Sequence, residues 1–383
     1  MGTPVLLVST ATRWYGTARI PRGLSRAGFD VALLAPRHAL AEKSAFVARI
    51  GHLPDDATPM QWVFALAAMV KATAPRLLLP CDDTAFRLLM SLVLEPPPDM
   101  LPALQTQLAS LVRESLGDPA GYRPSVDKTL LPAAAQAQGV RVPPFVVPAD
   151  GAQAAAFAQA QGYPVVVKRG FGFAGHDVAV CSTPGELARD FAQLTRAAPF
   201  DPVTPAAGRL LVQAHIPGHA QLYSVAAWKG ALLAGWASDK LVTHPAPLGP
   251  ATVLRAHRSA EGHGFAERLV RGFGISGLLD LECMIHERTG EAYLIEINRR
   301  VTPTTHRGGA YGVDLCAALH AAIHGTPSPS RSELDEGEEH VAAHFPQEWL
   351  RDPDSAYLRD FPVDVPWDEP ELLEAMLALR HER

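Results

Sequence analysis

Glu296 and Asn298 stand two residues apart in the run Ala292-Tyr293-Leu294-Ile295-Glu296-Ile297-Asn298-Arg299-Arg300. The run alternates as a β-strand does, which predicts Leu294, Glu296 and Asn298 on one face and Tyr293, Ile295 and Ile297 on the other. Carboxylate and amide oxygens are hard ligands suited to Mg²⁺, and the two arginines that follow can hold phosphate or a developing negative charge. A second acid, Glu282, interrupts another apolar run, Gly277 to Ile285. Solvated acids on a sheet edge would explain either strand alone. Two acids in otherwise buried-looking strands point to a pair of metal ligands.

Other residues could serve phosphate. Lys168 ends the apolar run from Val165 and leads into Gly170, Gly172 and Gly175. The following Asp177–Val180 reads as a strand, so the glycines form a hairpin tip whose backbone N–H groups can cradle a polyphosphate, with the lysine supplying charge. Gly170/Gly172/Gly175 and Gly272/Gly274/Gly277 both match Gly-x-Gly-x-x-Gly. That fingerprint needs a strand before it and a helix after it, and neither match has both, so a dinucleotide site is not supported. Asp82 and Asp83 follow the strand Leu77–Pro80, where open α/β sheets bind ligands; one of them capping the helix Thr84–Leu92 is the competing explanation.

These residues need elements to position them. Strands at Val5–Ser9, Val31–Ala35 and Leu77–Pro80, with helices at Thr17–Ala27 and Met60–Ala72 between them, predict a parallel sheet covered by helices. Ser125 or Asp127 caps a helix over Thr129–Gln138, with Lys128 at its start. Phe145–Val147 reads as a strand and Ala152–Gln161 as a helix. The strand Leu210–Gln213 runs into Ala214-His215-Ile216-Pro217-Gly218. Tyr223–Trp228 and Ala231–Ala237 form a hairpin about Lys229-Gly230, and Lys240, His244 and Arg255 fall in a loop-rich stretch before a helix at Gly264–Phe273. Gly308–Gly312 turns into a helix over Val313–His324, and beyond Thr326 come a connector and a last helix, Pro370–Leu379, capped by Asp368.

Bulk properties exclude several classes. Net charge is −6 over 383 residues, with no cluster of Lys and Arg, which argues against a nucleic-acid-binding face. No apolar stretch approaches membrane-spanning length, and the N-terminus lacks a signal peptide's pattern. Four dispersed cysteines without Cys-x-x-Cys predict reduced thiols and a cytoplasmic protein, and the fifteen histidines form no zinc-like cluster.

The order of these parts resembles the ATP-grasp superfamily, and is closest in style to the carbamoyl-phosphate synthetase and biotin carboxylase group of carboxylate-amine ligases. The resemblance covers residues 1–325 and is most specific at Tyr293–Arg300. It implies an α/β protein with a Rossmann-like parallel-sheet domain (1–115) and a two-lobed α+β ATP-grasp domain (116–325). The latter divides into a lid subdomain at 125–210 and a metal-binding lobe at 211–325, and 326–383 is an extension. It further implies that Lys128 and Lys168 contact ATP, that Gly170, Gly172 and Gly175 form a mobile lid, and that Gln213 and the backbone of His215 and Ile216 meet adenine. Glu282, Glu296 and Asn298 would hold Mg²⁺, with Mn²⁺ as an alternative, and Arg300 would face the phosphoryl group. Ala214 and Gln221 occupy positions where similar proteins carry acids, the second of them holding the ribose.

The reaction so implied is an ATP-dependent ligation of a carboxylic acid to an amine or amino acid through an acylphosphate. The cations Arg255, Lys240, Arg299, His306 and Arg307 are candidates for the acid's site, Arg255 and Arg307 foremost. A small-molecule kinase, a carboxyphosphate-forming enzyme and a non-catalytic nucleotide-binding protein are the alternatives. The oligomeric state stays open, dimers being common among similar proteins.

Overall fold

The computed structural model describes residues 2–54, 56–171, 177–196, 209–246 and 249–382. Three sheets organise the described residues. The first is parallel, with strands β1 (Thr3–Val8), β2 (Phe29–Pro36), β3 (Val47–Leu53) and β4 (Leu77–Pro80) in the order β3-β2-β1-β4. Helices α1 (Tyr15–Arg26), α2 (Pro59–Thr73) and α3 (Asp83–Leu94) connect or follow these strands, and α4 (Pro102–Leu116) comes next. β1 and β4 are apolar and buried nearly throughout, as strands covered on both faces must be. The sequence reading missed β3. It is an edge strand reading Val-Ala-Arg-Ile-Gly-His-Leu and largely exposed, so it carries little apolar pattern.

Short helices α5 (Tyr122–Val126) and α6 (Leu131–Ala137) bridge to the second sheet. Its strands are β5 (Phe145–Val146), β6 (Val165–Arg169), β7 (Val178–Cys181) and β8 (Leu210–Ala214), in the order β5-β8-β6-β7. Helices α7 (Gly151–Gln161) and α8 (Pro184–Arg196) pack on it. β6 and β7 pair antiparallel, as the hairpin reading required; Gly172 and Gly175 at its tip lie outside the described residues.

The third sheet holds β9 (Gly218–Trp228), β10 (Ala231–Thr243), β11 (Ala251–His257), β12 (Gly277–His286), β13 (Ala292–Asn298) and β14 (Glu339–Ala343), in the order β13-β12-β9-β10-β11-β14. β9 and β10 turn at Lys229 and Gly230, both at positive φ (50° and 78°), the backbone that a two-residue hairpin needs. At the start of β9, Gly218 lies so close to β12 that a Cβ would stand 1.8 Å from the Ile285 carbonyl oxygen. Helix α9 (Ala260–Gly272) covers one face, and α10 (Leu315–His324) packs on β9 and β10.

Four expectations need correction. Lys240 and Arg255 sit on β10 and β11, not in loops. Leu294 is in the core with Ala292 and Ile297, on the face opposite Glu296, because a β-bulge sets Glu282 opposite Glu296 and Cys283 opposite Leu294. Ile295 is the extra residue, and the alternation slips there. The segment after Thr326 is no mere appendage: β14 adds a strand to the third sheet, and helices α11 (Gln347–Arg351), α12 (Ala356–Asp360) and α13 (Pro370–Ala378) follow. α13 buries Leu372 and Met376 in one core with β1, β2 and α1. Asp368 does not cap α13; it pairs with Arg22 at 2.7 Å and Arg26 at 3.3 Å on α1.

Candidate active site

Strand register brings the predicted ligands together. Glu282 on β12 faces Glu296 on β13, and Asp280 faces Asn298, so three carboxylates and an amide form a rectangle across one ladder. They line a cleft of about 490 Å³ that follows β12. Around its middle, Lys128 Nζ lies 3.2 Å from Glu296 and Lys240 Nζ lies 2.5 Å from Glu282. Lys128 and Lys168 are positioned jointly, because the Lys128 N–H donates to the Gly170 carbonyl at the end of β6 (2.9 Å).

Electrostatics follow from this crowding. Burial pushes the Lys168 ammonium down to about 8, with Glu296 and Glu282 working the other way. Burial alone would raise the Glu296 carboxyl, but Lys128, Lys168 and Arg300 outweigh it and hold the group below the usual carboxylate range. Asp280, fully buried, moves upward despite hydrogen bonds from Thr304 and its neighbours. Its Oδ2 accepts from Thr304 Oγ1 at 2.9 Å, whereas Oδ1 has no partner among the described residues.

At one end of the cleft stands Arg300. Its Nε donates to Asp83 at 2.8 Å, one terminal nitrogen donates to Asn298 Oδ1 at 2.9 Å, and the guanidinium sits 5.0 Å from the Trp14 ring centre. Its other terminal nitrogen has no hydrogen-bond partner among the described residues. Thr10, Ala11, Thr302, Pro303 and His344 complete this end. Of the adjacent acids, Asp82 caps α3 through the Ala85 N–H and also accepts from Ser9 and Thr10. Asp83 remains open to the cleft.

The opposite end is more apolar. Pro143, Val166, Val178, Leu222, Met284 and Ile295 line it together with Gln213, Ala214, His215 and Ile216. Gln213 is buried, and its side-chain amide nitrogen has no partner among the described residues. The His215 N–H is taken by the Pro164 carbonyl at 3.3 Å.

Several residues nominated from sequence lie elsewhere. Gln221 and Arg255 are not in the cleft lining; both bond Asp239, at 3.1 and 2.8 Å, in a cluster with His219 and His257. β10 carries Asp239 and Lys240 at successive positions, so their side chains leave opposite faces of the sheet, and Lys240 has the cleft face. Arg299 is buried against Ser125 and the Leu116 carbonyl. His306 and Arg307 bond Asp364. Sequence reading passed over Asp280, although its spacing from Glu282 was the available signal. Trp14 and His344 gave none.

No protein-family model matches the chain, and no curated protein matches it. Solved structures do. A biotin carboxylase β-γ-ATP complex from Campylobacter jejuni superimposes with a TM-score of 0.67 at 14% identity, over 89% of this chain and 75% of that one.

The chain has the ATP-grasp fold.

Two further ATP-grasp structures agree. The biotin carboxylase domain of 2-oxoglutarate carboxylase from Hydrogenobacter thermophilus, in complex with MgADP and bicarbonate, gives 0.65 at 16% identity, over 89% and 74% of the two chains. N5-carboxyaminoimidazole synthetase from Staphylococcus aureus, complexed with ADP, gives 0.62 at 11%, over 89% and 82%. Among the described residues, no helix is long and apolar enough to cross a membrane, and all four cysteines are free and buried.

Proposed function

We propose that the protein is an ATP-dependent ligase that joins a carboxylic acid to an amine through an acylphosphate. The observation that carries the reading is the direct pairing of Glu282 with Glu296 in a cleft that also gathers Lys128, Lys168, Lys240 and Arg300. So many charges of both signs around one cavity, Asp280 and Arg300 each with an atom without a partner among the described residues, suit a polyanion and a hard cation better than they suit a core.

Mg²⁺ fits this donor set: Glu282 and Glu296 would hold it, assisted by Asn298, and it would neutralise phosphate charge. Gln213 and the apolar end would take the base, and Lys128, Lys168 and Lys240 the phosphates. Arg300 would orient the acid's carboxylate and stabilise charge on the group in transfer. A carboxylate oxygen forms a bond to the γ-phosphorus as the bond to the β,γ-bridging oxygen breaks, its electron pair leaving on ADP. The amine nitrogen then attacks the acyl carbon, phosphate departs with the C–O electron pair, and the nitrogen loses a proton. No nucleophilic side chain is needed.

The test is ADP release from MgATP across a panel of acids, bicarbonate included, with hydroxylamine present to trap an acylphosphate as hydroxamate. Acid-dependent ADP together with hydroxamate supports the ligase. A stable phosphorylated product would indicate a kinase instead, and bicarbonate as the sole effective acid would indicate carboxyphosphate chemistry, to which the carboxylase neighbours lend weight.

A further inference from the structure

We infer that the acid activated in this cleft is an α-amino acid, and that Asp83 selects it by binding its ammonium group. The inference rests on the ligase reading above and concerns the Arg300 end of the same cleft. Arg300 is buried, its guanidinium lies over the Trp14 ring, and two of its three nitrogens are engaged by Asp83 and Asn298. The third is buried and without a partner among the described residues, and a ligand carboxylate reaching it from the cleft that Arg300 lines would complete the set.

Asp83 is the complementary half. Its Oδ2 holds Arg300 Nε at 2.8 Å, while its side chain is 36% exposed and lines the cleft. It stands in the first turn of the twelve-residue helix α3, where the helix dipole favours an anion. The neighbouring Asp82 cannot play this part, because four donors already occupy its oxygens. Arg87, one turn along α3, also bears electrostatically on Asp83 but is absent from the cleft lining. A cation and an anion joined at 2.8 Å and both facing one cavity match a ligand that carries opposite charges equally close together. An α-amino acid does, whereas a simple fatty or aromatic acid would leave Asp83 with no cation beyond Arg300 on the cleft side. Asp280, whose Oδ1 is buried and unpartnered on the same wall, adds a second polar point for such a ligand. Ala11, Trp14 and Pro303 border the space left for its side chain.

Matched pairs test this: leucine with 4-methylpentanoate, alanine with propanoate, glutamate with glutarate. ADP release and hydroxamate formation are measured with MgATP, and binding to the full chain is measured by calorimetry with MgADP. Wild type should favour each amino acid over its desamino partner by roughly ten- to a hundredfold, the worth of one charge-assisted contact. Asp83→Asn, which retains an acceptor for Arg300, should collapse that ratio toward one, and a ratio is insensitive to general damage at Arg300. Equal turnover of both partners by wild type, or a ratio unmoved in Asp83→Asn, overturns the inference and leaves the ligase reading standing. Selective amino-acid binding that Asp83→Asn abolishes, with no ADP or hydroxamate from any acid, supports the subsite and overturns the ligase. Neither binding nor turnover of any member overturns both.

Discussion

Two buried clusters of cations and carboxylates in this molecule serve opposite ends. In the first, Arg19, His306, Arg307, Asp364 and Glu369 pair with one another where α1, the segment after β13 and the C-terminal segment meet. Arg19 reaches Asp364 at 2.7 Å and Glu369 at 3.4 Å, and His306 reaches Asp364 at 2.5 Å. None of the five lines the cleft. In the second, Lys128, Lys168, Lys240, Arg300 and the carboxylates that face them border a cavity. Both clusters keep buried atoms without partners among the described residues, Arg19 Nε, His306 Nδ1 and Arg307 Nε in the first and Asp280 Oδ1 and one Arg300 terminal nitrogen in the second, so the cavity is what separates them. Charges that answer each other across a closed interface staple the chain. Charges set around a cavity wait for a ligand.

The largest expected effect separates the two at once. Glu296→Gln should reduce ADP release by roughly a thousandfold or more, on the order of removing a ligand to a catalytic ion, with the fold retained by circular dichroism. Asp364→Asn should do the reverse. Breaking a buried ion cluster at one partner costs roughly 3–5 kcal/mol of stability, readable by urea unfolding, while activity per folded molecule is kept. If Asp364→Asn removed turnover without loss of stability, the division between staple and site would fail.

A smaller effect is expected at Lys168. Lys168→Ala should weaken MgATP binding by roughly 1.5–3 kcal/mol, the worth of one charge-assisted contact. The pH profile sharpens the point. With its ammonium lowered to about 8 by burial, Lys168 is a cation below that pH and loses its proton above it. Nucleotide affinity should therefore fall as pH rises through about 8, and the Ala variant should lack this step when both are titrated by fluorescence or calorimetry.

The smallest effect belongs to Arg255, a half-exposed partner of Asp239 on the far face of the sheet. Arg255→Ala should cost about 0–1 kcal/mol of stability and leave the KM of every substrate within about twofold. A rise of roughly tenfold in the KM for the acid would return it to the site.

These contrasts also show what could be read without a structure. Period-two alternation located β12 and β13, and the acids within them marked Glu282 and Glu296 as the candidate pair that the strand register sets face to face, because a charged residue in a buried strand is a local signal. Arg299, His306 and Arg307 follow closely in sequence and resemble ligand-binding cations equally well. What separates them from Arg300 is the identity of distant partners, Ser125 and Asp364, which no local pattern encodes. The bulge at Ile295 was hidden for a similar reason, since only the partner strand's register exposes it. Lys240 and Arg255 were misplaced into loops because β10 and β11 mix Lys, Asp, Arg and His with apolar residues, which blurs the alternation. Strand β14 follows a Pro- and Ser-rich connector and gains its place only by pairing with β11.

Central to the proposed mechanism is the passage of a phosphoryl group from ATP to a carboxylate within the cleft. Oxygen-18 transfer tests it most directly. An acid that elicits ADP release is labelled in its carboxylate, turned over with MgATP and an amine, and the inorganic phosphate is analysed by mass spectrometry. Attack by the carboxylate followed by loss of phosphate from the acyl carbon predicts one labelled oxygen in each phosphate released. Phosphate free of label, with ADP and ligated product formed, would contradict the acylphosphate and with it the proposed roles of Arg300 and the paired glutamates.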